Sequence, residues 1–238
     1  MLAIKALTFD VFGTVVDWRR SIAREAQAIL GEQKGYNLDW NAFALAWRGR
    51  YQPAMERVRS GNRGFVKLDV LHRENLSDVL DQFGVVDLSK EDVDHLNFAW
   101  HRLDPWPDSV SGMTRLRGRF PLASLSNGNV ALIMNMARRA GLPWDAILGA
   151  EVARAYKPMP DAYLSAADML GLEPNEVALV AAHNDDLKAA AAAGLRTIFV
   201  ARRTEVADTG QTKDIEAWDG VDLAAADFED LADKLGCH

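Results

Sequence analysis

The sequence predicts an α/β protein whose core is a doubly wound parallel sheet, with a small helical domain inserted after the first strand. An apolar run at residues 6–9 ends in a carboxylate, Asp10, and is the first of several short runs of this kind. In the second half of the chain such runs alternate with amphipathic stretches, as expected when helices connect parallel strands. Before them, residues 16–100 have mostly helical patterns.

The first predicted strand and the turn after it organise the chain. Gly13 follows Asp10 closely and lets the backbone turn sharply past the end of the strand. Ligands of open parallel sheets bind beyond the carboxyl ends of the strands, which is where Asp10 is expected. An Asp that only caps a turn is the alternative interpretation.

The helical segment that follows has a regular apolar spacing. It predicts four helices, at residues 21–30, 40–58, 66–83 and 90–100. Glycine and asparagine at 60–64 separate two of them. We therefore assign residues 1–15 and 101–238 to the core and residues 16–100 to a helical cap above the strand ends. An all-α N-terminal domain with its own function is the alternative, but a strand that precedes the helices favours an insertion.

The rest of the chain supplies the remaining strands and helices of the core. Strands are predicted at 120–126, 146–148, 177–181 and 195–200, with a short last strand near 221. Helices are predicted at 109–116, 130–140, 161–170, 187–193 and 228–235, the first of them capped by Asp108. This alternation is typical of a Rossmann-like fold.

Composition excludes several classes of function. The 238 residues suit one α/β core with an insert, and a net charge of -7 without a Lys/Arg run argues against nucleic-acid binding. No apolar stretch approaches the ~20 residues of a membrane span. A single cysteine, Cys237, permits no intrachain disulfide, and residues 1–6 lack the features of a signal peptide. We therefore expect a cytoplasmic protein.

The residues around Asp10 resemble a known motif. Phe9-Asp10 followed by Gly13-Thr14 is similar to motif one of the haloacid dehalogenase superfamily, in which the first Asp is a covalent nucleophile. Most members are phosphatases with a second Asp two residues later, acting as general acid. Here that position is Phe12, whose ring can neither protonate a leaving oxygen nor ligate a metal. Residues 10–19 are instead similar to the 2-haloacid dehalogenase branch.

A second departure from the phosphatases follows the fourth core strand. Phosphatases of the superfamily carry a Gly-Asp pair there, and the Asp helps to hold Mg²⁺. The pair is Ala181-Ala182 in this chain, and a methyl group cannot coordinate Mg²⁺. The resemblance therefore implies metal-independent chemistry with no cofactor.

The other motifs imply roles for residues near the strand ends. Ser126 and Asn127 match the residues that hold the substrate carboxylate in the dehalogenase branch, and Asn127 also contacts the departing halide; a plain turn is the alternative. Lys157 matches motif three and would keep Asp10 ionised. Tyr163 resembles the tyrosine of that region, although a buried core tyrosine has the same sequence context.

The helical cap contributes one implied site residue. Arg48 follows a tryptophan, as in the dehalogenase branch, where the Arg reaches the leaving halide. Arginine suits that place because it stays charged when desolvated, and a solvated surface Arg is the alternative. We also assign Thr14 to the catalytic group and Phe12 to the substrate pocket.

The stretch 181–186 departs from the familiar dehalogenase pattern. Its final carboxylate, Asp186, is assigned to the hydrolytic water, with the neighbouring Asp185 as the alternative. His183 stands where the family has Asn. Because a histidine can donate a hydrogen bond to fluoride, we predict fluoride release from fluoroacetate, reduced by His183→Asn more than chloride release from chloroacetate. Alternatively, His183 is a turn residue and chloroacetate or 2-chloropropionate is preferred.

Together the motifs predict hydrolytic dehalogenation of short 2-haloacids to 2-hydroxyacids through an aspartyl-ester intermediate. The expected partners are a small halogenated carboxylic acid and the released halide, with no nucleic acid and no membrane. Dimers occur among related dehalogenases, so a homodimer is possible. A phosphatase or phosphotransferase on the same fold is one alternative function, and a non-catalytic protein that binds small anions is another.

Overall fold

The computed structural model describes residues 3–238 and contains a parallel sheet of six strands in the order β5-β4-β1-β6-β7-β8. The strands are β1 (Ala6–Phe9), β4 (Leu122–Ser126), β5 (Ala146–Gly149), β6 (Val177–Ala181), β7 (Arg196–Val200) and β8 (Leu223–Ala225). Helices pack on the sheet: α6 (Ser109–Arg117), α7 (Val130–Ala140), α8 (Ala150–Ala153), α9 (Pro160–Met169), α10 (Asn184–Ala192) and α11 (Phe228–Lys234). The predicted α/β fold is confirmed.

The central position of β1 explains why a site forms at its end. Every residue of β1 is buried, and the strand pairs with β4 on one side and β6 on the other. After β1 the sheet grows outward through β4 and β5, and then in the opposite direction from β6. The loops after β1, β4 and β6 therefore diverge at one edge of the sheet, which leaves a crevice at this switch point.

A helical segment leaves and re-enters the core at one place. The two-residue strands β2 (Val16–Asp17) and β3 (Asp104–Pro105) pair antiparallel and flank it. Between them lie α1 (Trp18–Ala26), a π-helical turn (Gln27–Glu32), α2 (Trp40–Gly49), α3 (Tyr51–Arg59), α4 (Leu68–Gln82), α5 (Lys90–Asn97) and a 3₁₀ helix (Phe98–Arg102). We call residues 18–102 the helical insert. The exact division into core and cap domains stays a prediction.

The prediction of one helix at 40–58 is wrong, because α2 ends at Gly49 and α3 begins at Tyr51. Pro53 explains the break. In a continuous helix it would leave the Gly49 carbonyl without its donor and clash with it. In the first turn of α3 the missing N–H has no intrahelical role.

Asp108 occupies the N-cap position of α6, as expected, but its side chain makes no hydrogen bond to that helix. Its carboxylate instead accepts hydrogen bonds from Arg202 at 2.7 and 2.8 Å and from the Phe228 backbone N–H at 2.8 Å. It thereby ties α11 to the loop after β7. The short elements β2, β3 and α8 were not predicted, since two to four residues carry no periodic pattern.

In the part of the chain that the structure describes, none of the helices is long and apolar enough to cross a bilayer. The expectation for residues 1–6 concerns a segment whose first two residues lie outside that part.

Candidate active site

Asp10 lies directly after β1 and is the centre of a hydrogen-bonded cluster. Only 7% of its surface is exposed. Its Oδ1 accepts a hydrogen bond from Lys157 Nζ at 2.9 Å, and its Oδ2 accepts one from Thr14 Oγ1 at 2.8 Å. His183 Nδ1 lies 3.1 Å from the same Oδ2. The carboxylate is therefore held in one orientation by three side chains.

The turn after Asp10 needs a glycine for two reasons. Gly13 has φ of +91°, a conformation that side chains disfavour. A Cβ at Gly13 would also lie 2.1 Å from Oε1 of Glu205. The glycine of motif one thus makes room for a second carboxylate beside the site.

Lys157 joins Asp10 to a second acidic residue. The buried Nζ of Lys157 donates to Asp186 Oδ2 at 2.5 Å as well as to Asp10. Tyr163 donates its hydroxyl to the other oxygen of Asp186 at 2.6 Å. The Lys157 backbone N–H donates to Asn127 Oδ1 at 2.8 Å, which links the loop after β4 to the loop between α8 and α9. Four predicted site residues therefore form one network with Asp10.

Burial and charge oppose each other in this network. Burial raises the pKa of Asp10, but the charges of Lys157 and His183 outweigh it and hold that pKa well below its usual range. Burial lowers the pKa of Lys157, but Asp10 and Asp186 raise it above its usual value. The pair is therefore ionised at neutral pH. Burial and then Asp186 raise the pKa of Tyr163, which stays a neutral donor.

On the other side of Asp10, His183 connects to Glu205, which sequence reasoning missed. His183 Nε2 lies 2.9 Å from Glu205 Oε2, and Trp18 Nε1 donates to Glu205 Oε1 at 2.7 Å. Burial lowers the pKa of His183, but Glu205 and Asp10 raise it well above its usual value. Burial raises the pKa of Glu205, but His183 lowers it below its usual value. An imidazolium thus bridges two carboxylates.

The sequence offered only a weak signal for Glu205. It lies in the long loop after β7, and β7 ends at the same edge of the sheet as β1. That loop contains several other charged residues and no recognisable motif. Only the packing of the loop against α1 identifies Glu205 as part of the site.

Arg48 lies above the cluster, on α2 of the helical insert. Its guanidinium carbon lies 4.0 Å from the ring centre of Tyr51, 5.3 Å from that of Trp18 and 5.7 Å from that of Phe12. The Nη1 atom of Arg48 is buried and has no hydrogen-bond partner among the described residues. Rings thus surround a cation that lacks one hydrogen-bond acceptor.

A partly open cavity of about 430 Å³ lies between the sheet edge and the insert. Its lining residues include Asp10, Arg48, Tyr51, Arg59, Asn127, Lys157, Tyr163, His183, Asp185, Asp186 and Lys213. Three predicted site residues, Phe12, Thr14 and Ser126, are not among the lining residues and are buried behind them.

Two predicted residues, Ser126 and Asp185, make contacts that differ from those of Asn127 and Asp186 beside them. Ser126 accepts a hydrogen bond from the Gly128 N–H at 3.0 Å and so shapes the turn after β4. Asp185 is largely exposed and pairs with Lys213 at 3.0 Å, whereas the neighbouring Asp186 faces Lys157. The geometry favours Asp186 over Asp185 as a participant in the chemistry.

A family model described as haloacid dehalogenase-like hydrolase matches residues 4–194. The chain belongs to this family. It is similar to a crystal structure of a defluorinating L-2-haloacid dehalogenase, with 47% identity, 98% of this chain and 95% of that one covered, and a TM-score of 0.95. A second L-2-haloacid dehalogenase structure has 46% identity, covers 99% and 100%, and gives a TM-score of 0.93.

A curated relative agrees with the structures. The (S)-2-haloacid dehalogenase 1 of Pseudomonas sp. strain CBS-3 is 29% identical over 203 residues, which cover 84% of this chain and 85% of that protein. The resemblance to the 2-haloacid dehalogenase branch, stated from the motifs, is confirmed.

Metal ligands do not converge in this dehalogenase-like hydrolase: between residues 3 and 238, no three His, Cys, Asp or Glu side chains are placed to hold one ion. Phe12 and Ala182 occupy the positions where phosphatases have their acid and a ligand. Ala182 contributes only its backbone N–H, which donates to Thr14 Oγ1 at 2.9 Å. Metal independence stays a prediction and rests on these two residues.

Proposed function

We propose that this protein hydrolyses the carbon–halogen bond of short 2-haloacids and releases a 2-hydroxyacid and a halide ion. The observation that carries the proposal is the ionised Asp10, which faces the cavity while Lys157 fixes its orientation. The named activity of the similar (S)- and L-2-haloacid dehalogenases supports it.

In the first step the Asp10 carboxylate attacks the carbon that bears the halogen. A new C–O bond forms, and the electron pair of the C–X bond leaves with the halide. In-line displacement inverts the carbon, so an L-2-haloacid gives a D-2-hydroxyacid. A carboxylate held rigidly beside its substrate gains from fixed orientation, and no proton has to be delivered to the leaving group.

The substrate is an anion that enters a site already containing carboxylates. Its carboxylate is assigned to Asn127, which lines the cavity on the turn that Ser126 shapes from behind, and its halide to Arg48 and Asn127. Arg48, Arg59 and Lys213 line the cavity and add positive charge beyond that of Lys157. Because the chain as a whole is acidic, this local charge is needed to attract the substrate. Phe12 would provide apolar surface beneath Arg48.

In the second step water adds to the Asp10 ester carbonyl and releases the hydroxyacid. Asp186 is assigned as the group that takes the water proton, since it lines the cavity and shares Lys157 with Asp10. Lys157 and Tyr163 orient Asp186. Asp10 returns to its carboxylate form by releasing one proton, so the net reaction yields hydroxyacid, halide and a proton.

Three further predictions belong to this proposal. Residues 16–100 act as a cap that excludes water from the cavity during displacement. The protein acts in the cytoplasm. It also forms a homodimer, and light scattering would detect the dimer by its mass. A monomer at micromolar concentration would exclude the dimer and leave the chemistry unaffected.

Halide release tests the proposal. Ion chromatography should detect chloride from chloroacetate and from L-2-chloropropionate but not from D-2-chloropropionate, and exhaustive EDTA treatment should leave the rate unchanged. Mg²⁺-dependent hydrolysis of p-nitrophenyl phosphate without halide release would favour a phosphatase instead. Haloacid binding without turnover would favour a non-catalytic anion-binding protein.

A further inference from the structure

The two oxygens of Asp10 have unequal surroundings. Oδ2 is near two donors, Thr14 Oγ1 and His183 Nδ1, whereas Oδ1 has only Lys157 Nζ. A carboxylate oxygen has about two lone-pair sites, so Oδ2 is saturated and Oδ1 keeps one site free. Oδ1 is therefore the oxygen available to attack a substrate carbon.

This difference determines what the ester looks like. When Oδ1 bonds to the substrate carbon, Oδ2 becomes the carbonyl oxygen, still between Thr14 and His183. The hydroxyl of Thr14 is held as a donor toward Oδ2, because its oxygen accepts a hydrogen bond from the Ala182 N–H. Two donors are then in place where negative charge develops on hydrolysis.

We propose that His183 is a catalytic residue of the second step, forming with Thr14 an oxyanion hole for Oδ2, and that Glu205 is its positioning residue. The proposal rests on the function proposed above. It assigns to His183 neither a contact with fluoride nor the removal of a proton from water.

The oxygen of water bonds to Cγ of Asp10, one water proton passes to Asp186, and the π electron pair of the carbonyl moves onto Oδ2. The resulting oxyanion is stabilised by His183 Nδ1–H and Thr14 Oγ1–H. When the carbonyl re-forms, the Cγ–Oδ1 bond breaks, and the hydroxyacid oxygen takes the proton from Asp186.

Glu205 matters most at this stage. Formation of the ester removes the charge of Asp10, which leaves Glu205 as the carboxylate hydrogen-bonded to His183. Trp18 holds one oxygen of Glu205, and Arg19 donates to its backbone carbonyl at 3.0 Å, so α1 fixes the loop that carries it. The charged groups that line the cavity with His183 or contact it are Asp10, Glu205, Asp185, Asp186, Lys157, Lys213, Arg48 and Arg59. Among these, Glu205 and Asp10 are the carboxylates in hydrogen-bond contact with it.

The test is a rapid-quench experiment with chloroacetate on His183→Asn, which keeps a donor but loses the charge. We expect steady-state turnover to fall about tenfold, because the neutral amide donates a weaker hydrogen bond to the oxyanion than the imidazolium does. Chloride should still appear in a burst of about one equivalent per active site, and intact-protein mass spectrometry should show the trapped ester. His95→Asn, an exposed histidine in the insert, is the matched control and should behave as wild type.

Glu205→Gln provides the second measurement. An imidazolium donor loses its proton as pH rises, so hydrolysis of the ester should decline at alkaline pH. Removing the Glu205 carboxylate should move that decline to lower pH, while Glu216→Gln, an exposed control, should not. An alkaline decline at the same pH in Glu205→Gln and wild type would contradict the role of Glu205, and no alkaline decline at all would overturn the role of His183.

The outcomes separate this inference from the proposed function. No halide from the wild type would refute the function itself. The role of His183 alone would be refuted by a different result: the wild type is active, and His183→Asn is folded but shows no burst of chloride and accumulates no ester. If His183→Asn does not fold, His183→Gln and Glu205→Gln carry the same burst test.

Discussion

The two faces of the cavity stabilise charge in different ways. On the face formed by the sheet edge, which we call the floor, each ionised side chain has oppositely charged partners: Asp10, Lys157, Asp186, His183 and Glu205. On the face formed by the insert, which we call the roof, Arg48 is surrounded by Phe12, Trp18 and Tyr51, and its Nη1 has no partner in the described chain.

This contrast indicates a division of labour. The floor is pre-organised, because its charges satisfy one another before any ligand arrives. The roof is incomplete, because a buried donor without an acceptor costs free energy until an anion fills it. An anion that enters the cavity should therefore gain most from Arg48, while the floor supplies the reacting groups.

The largest expected effect on activity comes from changing Asp10, the central residue of the floor. Asp10→Asn removes the anionic oxygen but keeps the shape, so halide release should fall by about 10⁴-fold or more. Circular dichroism should show a folded protein, and Asp168→Asn, an exposed control, should retain activity. In ¹⁸O-water, a single wild-type turnover should label Asp10 and leave the product unlabelled. Label found directly in the product would rule out the ester.

Lys157→Met, a change in the floor, should lower both the stability of the protein and its activity. It leaves Asp10 and Asp186 buried without their shared cation, and losing one partner of a buried pair costs about 3–5 kcal/mol of unfolding free energy. The pKa of Asp10 should rise, so the acid limb of halide release should move to higher pH. Urea unfolding and a pH–rate profile measure the two effects. Unchanged stability would mean that the floor is not pre-organised.

Arg48→Met, a change in the roof, should lower activity but have little effect on stability. Activity should fall about 10²-fold, since the leaving halide loses a charged donor. Unfolding free energy should change by less than about 1 kcal/mol, because the variant also removes an unpartnered buried donor. Arg57→Met, an exposed residue of α3, is the matched control for both measurements. A loss of stability as large as that of Lys157→Met would remove the distinction between roof and floor.

His72 extends the comparison to the interior of the roof. Burial lowers the pKa of His72 to about 3, and its two ring nitrogens lack partners within the described residues. In the unfolded chain His72 binds a proton near pH 6.5, whereas in the folded chain it stays neutral at that pH. Stability should therefore fall by about 1.4 kcal/mol per pH unit as the pH drops from 6.5 toward 3.

His72→Phe should remove that dependence. Its stability relative to wild type should improve by about 2 kcal/mol between pH 7 and pH 5, as measured by urea unfolding at each pH. The ring fits the site because His72 already stacks on Trp100 at a centroid distance of 4.2 Å. Parallel stability curves for the two proteins would show that His72 does not contribute to acid sensitivity.

The floor was more predictable from the sequence than the roof. Asp10, Lys157 and Asp186 follow strands or motifs in phase with strands, so their convergence follows from the order of a parallel sheet. The break in the helix at Arg50 was missed because the apolar spacing continues across it, and only Pro53 signals it. Glu205 was missed because a long loop has no period, and its position depends on packing against Trp18.

The smallest expected effect is the one that compares two halides. His183 already contacts carboxylates through both ring nitrogens, so its role toward fluoride, expected from the sequence, stays an untested prediction. Fluoroacetate and chloroacetate give the same glycolyl ester on Asp10. If His183 acts on that ester, His183→Asn slows a step that the two substrates share.

Because fluoride is the poorer leaving group, displacement should limit wild-type turnover of fluoroacetate more than that of chloroacetate. Slowing hydrolysis should then reduce chloride release more than fluoride release, and the two rates should converge in His183→Asn. Ion chromatography of both halides, for wild type and variant, measures the ratio. A larger loss of fluoride release would instead support a direct contact between His183 and the departing fluoride, because only displacement distinguishes the two substrates.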